Sequence, residues 1–423
     1  MRHRTKLAAA VAATAAMGMA VGAGPAAATL RVEIDNRSER PDREVFITLF
    51  CGAFAGSTPT CPAGGDGTLA NGKPIGQNTP TRLSRIPGRA FVVPTPYTSG
   101  NIYVGFGRGI VQATPNRTPR ATTLPDPDKS TVPFGFAEFT APAQNGADVT
   151  AVDQFGIPLR IEINRKNGRR VGTRGFVCDG NSTRKLLRAI PGSRKAEKKH
   201  RGRFLRMISP SKLGIPGTPR QAYPSLQPYI NSLVGKQLTI RTGAAFGADV
   251  TFTGAVERVG GRTSITLTEV NGKAAPMTVP LDSQQIYGSN GPYSVGGVLL
   301  PALANDLHGE VYNRLVSGFA FGYWGGKYGN HVDDIARSGW WRKPAFAAAR
   351  RGRAPYTARA PQYSPYAAVI ARASGNQVYG HPFADALPDN PGALVNVPPD
   401  ATMKLVILPN DSKKRQPRFC QAP

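Results

Sequence analysis

Acidic side chains are scarce in this chain: 26 Asp and Glu stand against 53 Lys and Arg among 423 residues, a formal net charge of +27. Such a field attracts anionic polymers, yet no nucleic-acid-binding motif accompanies it, which argues against nucleic acid as the partner. Cysteine is sparse too, with only Cys51, Cys61, Cys178 and Cys420. None sits in a Cys-x-x-Cys or paired Cys/His spacing, so zinc has no ligand set here. His331, Asp333 and Asp334 lie close together but match no zinc or calcium loop. There is no Gly-x-Ser-x-Gly elbow, and Gly105-Phe106-Gly107-Arg108-Gly109 lacks the strand-turn-helix setting of a phosphate loop. Serine hydrolases and nucleotide enzymes are therefore unsupported, and no cofactor or metal is expected. Past the first residues no apolar run reaches the roughly 20 residues that span a bilayer, and no internal repeat of fixed period is visible.

What is there begins with an export signal. Arg2, Arg4 and Lys6 precede a run of Ala, Val, Met and Gly from Leu7, closing on Ala26-Ala27-Ala28. Charge, apolar run and small-residue end predict a secretory signal peptide over 1–28, hence a secreted, extracellular chain without a membrane span. An exported chain meets an oxidising compartment, so two disulfides are expected. Four cysteines allow three pairings; the short loop favours Cys51 with Cys61, which leaves Cys178 with Cys420 and ties the C-terminus to the middle of the chain. Outside a cell the anionic partners expected of such a basic surface are wall polymers or acidic lipids, while solvent-facing solubility accounts for the charge equally well.

The next part reads as strands. Leu30, Val32 and Ile34 alternate with Arg31 and Glu33, and Leu159, Ile161 and Ile163 alternate with Arg160, Glu162 and Asn164, the period of a sheet with one wet face. Asn167-Gly168 follows as a hairpin turn. Val45 to Phe50, Phe91 to Val93 and Ile102 to Phe106 are further strands between Pro- and Gly-rich stretches such as Pro115 to Pro127, which argues for a sandwich or barrel over 29–183. From Arg184 to Arg206 the chain is dense in Lys and Arg with Glu197 as its single acid. Like charges at that density repel, so 184–206 is expected as a solvated insertion or linker. Over 207–400 helices mix with strands. Ser225 to Val234 starts on Ser and stops at Gly235, Val298 to Val316 places Leu303, Leu307, Val311 and Leu315 on one face, and Ser364-Pro365 opens a run to Ala373 that stops at Gly375. Strands are expected at Leu238 to Arg241, at Thr263 to Val270 before Asn271-Gly272, and at Met403 to Leu408. The last of these lies in a 401–423 tail that returns to the β domain. The fold class is mainly β with an α/β part.

In so basic a chain, Glu138 and Asp153 stand out as acids in apolar, strand-like surroundings, within FGFAEFTAPAQNGADVTAVDQFGIPLRIEI from Phe134 to Ile163. Desolvation favours the protonated form of a carboxyl, the form that can act on a leaving group. Glycosidic hydrolysis needs one such acid and one ionised carboxylate across the sugar. The commoner fate of a strand carboxylate is the wet face or a pairing with Arg. A second feature is the run Phe319 to Trp341, where Tyr323, Trp324, Tyr328, Trp340 and Trp341 sit among glycines. Aromatic faces stack on pyranose rings and would suit a polysaccharide groove, although core packing explains such rings more often.

Glu138-Phe139-Thr140, Val152-Asp153-Gln154-Phe155, Tyr229-Ile230-Asn231, Tyr366-Ala367 and Tyr379-Gly380-His381-Pro382-Phe383-Ala384-Asp385 together resemble, in type and order, the glycoside hydrolase family 64 β-1,3-glucanases of the thaumatin-like, laminaripentaose-producing kind. The resemblance implies a thaumatin-like β domain, a mixed α/β domain and a wide groove between them for glucan. It also implies an inverting mechanism with Glu138 as general acid and Asp153 as the base, and substrate contacts from Thr140, Tyr323, Trp324, Tyr379 and Asp385. The sequence departs from the family pattern in carrying Pro142 where a polar Asn is usual, in lacking a Trp before Asp153, and in ending the late motif on Ala384-Asp385 in place of two adjacent acids. The expected partner is β-1,3-glucan or another wall polysaccharide, taken by a monomer. A wall- or polysaccharide-binding protein that kept the fold and lost turnover is the alternative.

Overall fold

The computed structural model describes residues 28–51, 66–76, 78–111, 130–212, 221–242, 250–289, 291–300, 306–324, 361–382, 393–412 and 415–422. Residues 1–27 of the expected signal peptide, Cys61, the side chain of Cys51, Tyr328 to Trp341 and Asp385 lie outside them.

The alternation at Leu30, Val32 and Ile34 is realised as β1 (Thr29–Asn36), whose odd-numbered side chains face out while these three are buried. It lies inside a seven-stranded sheet with β3 (Gly67–Leu69), β4 (Pro74–Ile75), β6 (Ala90–Pro94), β11 (Leu159–Asn164), β12 (Arg170–Gly175) and β22 (Thr402–Ile407). The order is β12-β11-β22-β1-β6-β3-β4. The tail strand β22 slots between β11 and β1, parallel to β1 and antiparallel to β11, with Val32 opposite Met403. A six-stranded sheet contains β2 (Val45–Cys51), β5 (Thr81–Arg82), β7 (Tyr97–Phe106), β8 (Phe134–Ala141), β9 (Ala143–Val149) and β21 (Val395–Val397), in the order β21-β9-β8-β7-β2-β5. The inward side chains of both sheets, among them Val32, Ile161, Leu405, Val104, Ala137 and Phe139, form one continuous core. Interdigitating inner faces of this kind make a sandwich.

Among the described residues two smaller sheets join these, and the fold is mainly β with an α/β part. One joins β10 (Gln154–Phe155), β14 (Arg203–Ile208) and β13 (Glu197–His200) in that order; the other is an antiparallel meander of β15 (Gln237–Arg241), β16 (Thr251–Val259), β17 (Arg262–Glu269), β18 (Met277–Pro280), β19 (Tyr293–Val295) and β20 (Val298–Leu300). Among the described residues the α-helices are α1 (Gly180–Arg188), α2 (Gln227–Asn231), α3 (Ser283–Gly288), α4 (Leu307–Ala320) and α5 (Pro365–Ser374). On α5, Ser364 caps the amide of Ala367 and Gly375 closes the helix at φ 63°, a side-chain start and left-handed stop.

The helix expected within Val298 to Val316 is present as α4, which begins after Asp306, whose carboxylate accepts the Gly309 amide and sets the start, and 298–300 is strand β20. One expectation changes. Residues 184–206 are folded, not a solvated linker. They run through the end of α1, a short turn and the hairpin β13–β14, with Leu186, Leu187, Ile190, Ala196 and Leu205 buried. Charge density there hid an apolar pattern. Glu197 offsets part of that charge by pairing with Arg188 and Lys199, and Arg206 is wholly buried, stacked over Phe134 and donating to the Ser130 and Val132 carbonyls.

The disulfide Cys178–Cys420 is present. It fastens the C-terminal turn beside the N-terminus of α1, where Asp179 caps Ser182. Among the described residues no helix is long and apolar enough to cross a membrane.

Candidate active site

On β8 the side-chain alternation separates two faces. Ala137, Phe139 and Ala141 point into the sandwich core, whereas Phe134, Phe136, Glu138 and Thr140 point outward. The outward face is not plain surface. Phe134 and Phe136 join Phe50, Tyr103, Ile110 and Val132 in a second apolar cluster, and Tyr103 stacks on Phe136, its direct partner across the β7–β8 pair, at 4.8 Å and 17°. Glu138, half-buried, stands next to this platform. The register places Phe50, Asn101, Glu138 and Asp148 in one row across β2, β7, β8 and β9. Asn101 and Asp148, on either side of Glu138, are both buried.

Asp153 comes from the segment that leads from β9 into β10. Gly156 lets that segment cross tightly over the start of β8, since a Cβ there would meet the Phe134 carbonyl oxygen at 2.2 Å. Gln154 donates to the same carbonyl at 3.3 Å. Three carbonyls in a row are held from outside: Ala151 by the Tyr366 hydroxyl of α5 at 2.8 Å, Val152 by the hydroxyls of Ser209 and Ser211, and Asp153 by the Ser209 amide at 3.0 Å. The Asp153 carboxylate pairs with Lys212 Nζ at 2.9 Å. These contacts make the segment a fixed arm.

The two acids meet electrostatically at Tyr103. Burial pushes its phenol well above the usual tyrosine range, and the charges of Glu138 and then Asp153 push it further. Tyr366 is raised in the same way by burial, with Tyr223 and Asp153 adding to it. Tyr103 thus keeps its proton, and among the described residues its hydroxyl has no hydrogen-bond partner. Two carboxylates from separate elements, Glu138 of the sheet and Asp153 of the arm, thus both influence one buried phenol. Such a pair can divide acid and base work.

Of the expected substrate residues, Thr140 lies two positions from Glu138 on the same face and accepts the Ser99 amide at 3.2 Å. Tyr379 is hooked to the end of β9 through its own backbone, donating to the Val149 carbonyl and accepting from the Ala151 amide; its phenol interacts with Arg174. Tyr323 and Trp324 do not line a groove. Trp324 is 1% exposed, donates its indole N–H to the Leu315 carbonyl at 3.2 Å and packs on Phe319, and Tyr323 is equally internal. Asp385 falls outside the described residues. Sequence reasoning passed over Asn101, Tyr103, Asp148, Ser209 and Lys212. Strand parity in β7 could have flagged Tyr103, but the seats of Ser209 and Lys212 depend on a contact between segments more than 50 residues apart. Among the described residues no three His, Cys, Asp or Glu side chains gather as metal ligands.

The profile of the glycoside hydrolase 64 family, described as β-1,3-glucanase, matches residues 28–326. Three solved structures share the fold. A laminaripentaose-producing β-1,3-glucanase in complex with laminaritetraose superposes with a TM-score of 0.58 at 18% identity, covering 92% of this chain and 100% of that one. A β-1,3-glucanase domain from Clostridium beijerinckii gives 0.56 at 15%, covering 90% and 100%. A laminaripentaose-producing β-1,3-glucanase from Paenibacillus barengoltzii gives 0.51 at 14%, covering 90% and 76%. No curated protein sequence matches the chain.

Proposed function

We propose, from the premise that this chain belongs to the glycoside hydrolase family 64 β-1,3-glucanases, that it cleaves β-1,3-glucan by single displacement with Glu138 as general acid and Asp153 as general base. The supporting observation is that both carboxylates act on one buried phenol, Tyr103, from different elements. In this reading the Glu138 proton passes to the glycosidic oxygen as its bond to the anomeric carbon breaks. A water attacks that carbon from the opposite face and gives its proton to Asp153. Room for the water requires the two carboxyl groups to stand roughly 6.5–9.5 Å apart with sugar bound.

Phe136 and Tyr103 form an apolar platform beside the acid on the outward face of β8. Lys212 fixes the Asp153 carboxylate in place. Thr140 braces β7 against β8 beside the acid, and Tyr379 and Asp385 are assigned to sugar contacts along a wide groove. The buried Trp324 and Tyr323 act as support for the domain that borders it. Export by the 1–28 segment would deliver the enzyme to wall glucans, where its positive charge draws it to anionic wall polymers.

The test is Glu138→Gln, assayed on linear β-1,3-glucan. Loss of about 10²–10⁴-fold in oligosaccharide release with an unchanged melting curve is expected. Undiminished release ends the assignment, and binding without products in the unaltered protein would instead favour a glucan-binding role.

A further inference from the structure

The cation-rich segment before Ser209 ends on a hairpin that is stiffly based and turned to solvent. On the Ser193–Ala196 turn, β13 and the β13–β14 tip, Arg194, Lys195, Lys199, His200, Arg201 and Arg203 are all exposed. The base beneath them is packed. Ala196, Met207 and Ile208 are buried, and β14 pairs with β10 through Ile208 opposite Gln154 and Met207 opposite Phe155. The one acid of the hairpin, Glu197, is turned inward, with its side chain 4% exposed and accepting from Arg188 Nε at 2.8 Å. Among the described residues Arg194, Lys195, Arg201 and Arg203 form no salt bridge. At the tip, Arg201 and Gly202 both have positive φ, 50° and 76°, between the paired His200 and Arg203. This is the two-residue turn whose first position suits Asn, Asp or Gly, and an Arg there carries a steric cost. Charge is kept at the tip against local preference.

We propose that this hairpin is a docking surface for a linear polymer of alcohol units joined by phosphodiesters, bound apart from Glu138 and Asp153. At roughly 3.3 Å per strand residue, the tip at Arg203 lies about 20 Å along β14 from Ser209, which grips the Asp153 arm. Guanidinium forks match the two free oxygens of a phosphodiester and keep their charge at every pH the fold meets, and Arg194, Arg201 and Arg203 supply three of them. The kind of polymer follows from what else the surface offers. No Phe, Tyr or Trp occurs in 193–203, and Phe204 is half-buried with the Arg184 guanidinium 5.1 Å over its ring. Stacking on bases or on pyranose rings needs free aromatic faces. A surface with charge and no rings suits a polyanion whose repeat also has charge and no rings, which favours alcohol phosphate over nucleic acid or an acidic polysaccharide.

The measurement is binding of the purified protein to soluble poly(glycerol phosphate), by titration calorimetry over a series of NaCl concentrations. One variant carries Arg194→Gln, Lys195→Gln, Arg201→Gln and Arg203→Gln. Its charge-matched control carries Arg165→Gln, Lys166→Gln, Arg169→Gln and Arg170→Gln, all exposed at the β11–β12 turn. The hairpin variant should bind about tenfold to a hundredfold more weakly at low salt, with a log–log salt slope shallower by about 2–3, while the control loses less than about threefold. Equal losses in the two variants overturn the proposal in favour of the overall charge of the protein, as does an unaltered protein that does not bind. Equal or tighter binding of double-stranded DNA or polygalacturonate overturns the assignment of the polymer. Should the hairpin variant not fold, Arg201→Asn decides. It eases the turn, so the melting temperature should hold or rise while polymer binding weakens by about two- to threefold; unchanged binding contradicts the proposal. Docking is independent of the chemistry at Glu138, so Glu138→Gln should bind the polymer as tightly as the unaltered protein, and loss of binding there also contradicts it.

Discussion

Lys212 Nζ lies 2.9 Å from the Asp153 carboxylate, and this pair links the β10 arm to the turn at Pro210–Lys212. Both side chains are partly exposed, at 27% and 15%, so the pair contributes only about 0–1 kcal/mol to stability. Its effect on position is larger. Lys212→Met should leave the melting temperature within a few degrees while lowering kcat about ten- to a hundredfold, since a misplaced catalytic group costs rate steeply. Unchanged kcat would mean that the Ser209 and Ser211 contacts alone hold the arm.

Tyr103→Phe probes the platform. Its hydroxyl is buried and has no hydrogen-bond partner among the described residues, so removing it should keep stability or raise it by about 1 kcal/mol. If the phenol serves the carboxylates during turnover, kcat falls about tenfold in the same variant. Denaturant melts and initial rates on one preparation separate the two effects. A large loss of stability would show the hydroxyl to be structural.

Half-buried sheets impose a period of two, and that made β1 and β11 legible from alternation at Leu30 and Leu159, while β2, β7 and β22 were expected over Val45 to Phe50, Ile102 to Phe106 and Met403 to Leu408. Glu138 was legible as an acid in an apolar, strand-like setting. The arm that carries Asp153 was not, because β10 is two residues long and its form comes from Ser209, Tyr366 and Gly156, which no local pattern connects. Trp324 was misplaced for the opposite reason. An aromatic run among glycines looks alike whether the rings meet sugar or, as here, Phe319 and the Leu315 carbonyl. The cations of 184–206 masked the leucines that bury that segment.

His381 makes stability depend on pH. It is buried, its Nε2 meets the Ile286 carbonyl at 3.0 Å, and burial pulls it down from 6.5 to about 4. Between those values the unfolded chain takes up a proton that the native chain refuses, so stability is full above pH 6.5 and declines as pH falls toward 4. The loss amounts to at most about 3 kcal/mol. Denaturant melts at pH 7 and pH 5 should show a smaller difference for His381→Gln than for the unaltered protein. Equal differences would assign the decline to other groups.

The Cys178–Cys420 bond closes a sequence separation of 242 residues. Replacing both cysteines with alanine should destabilise the protein by about 2–5 kcal/mol, read as a lower denaturation midpoint, and should free the Arg418–Cys420 turn to protease. A midpoint that does not move would mean that the Arg372 contacts to the Phe419 and Gln421 carbonyls hold the tail unaided.

The division of labour between Glu138 and Asp153 is tested most directly by the anomeric form of the first products. Proton NMR of the unaltered enzyme acting on linear β-1,3-glucan should show the α-anomer of the new reducing end appearing first, with the β-anomer growing in by mutarotation. Initial formation of the β-anomer would contradict single displacement through these two carboxylates.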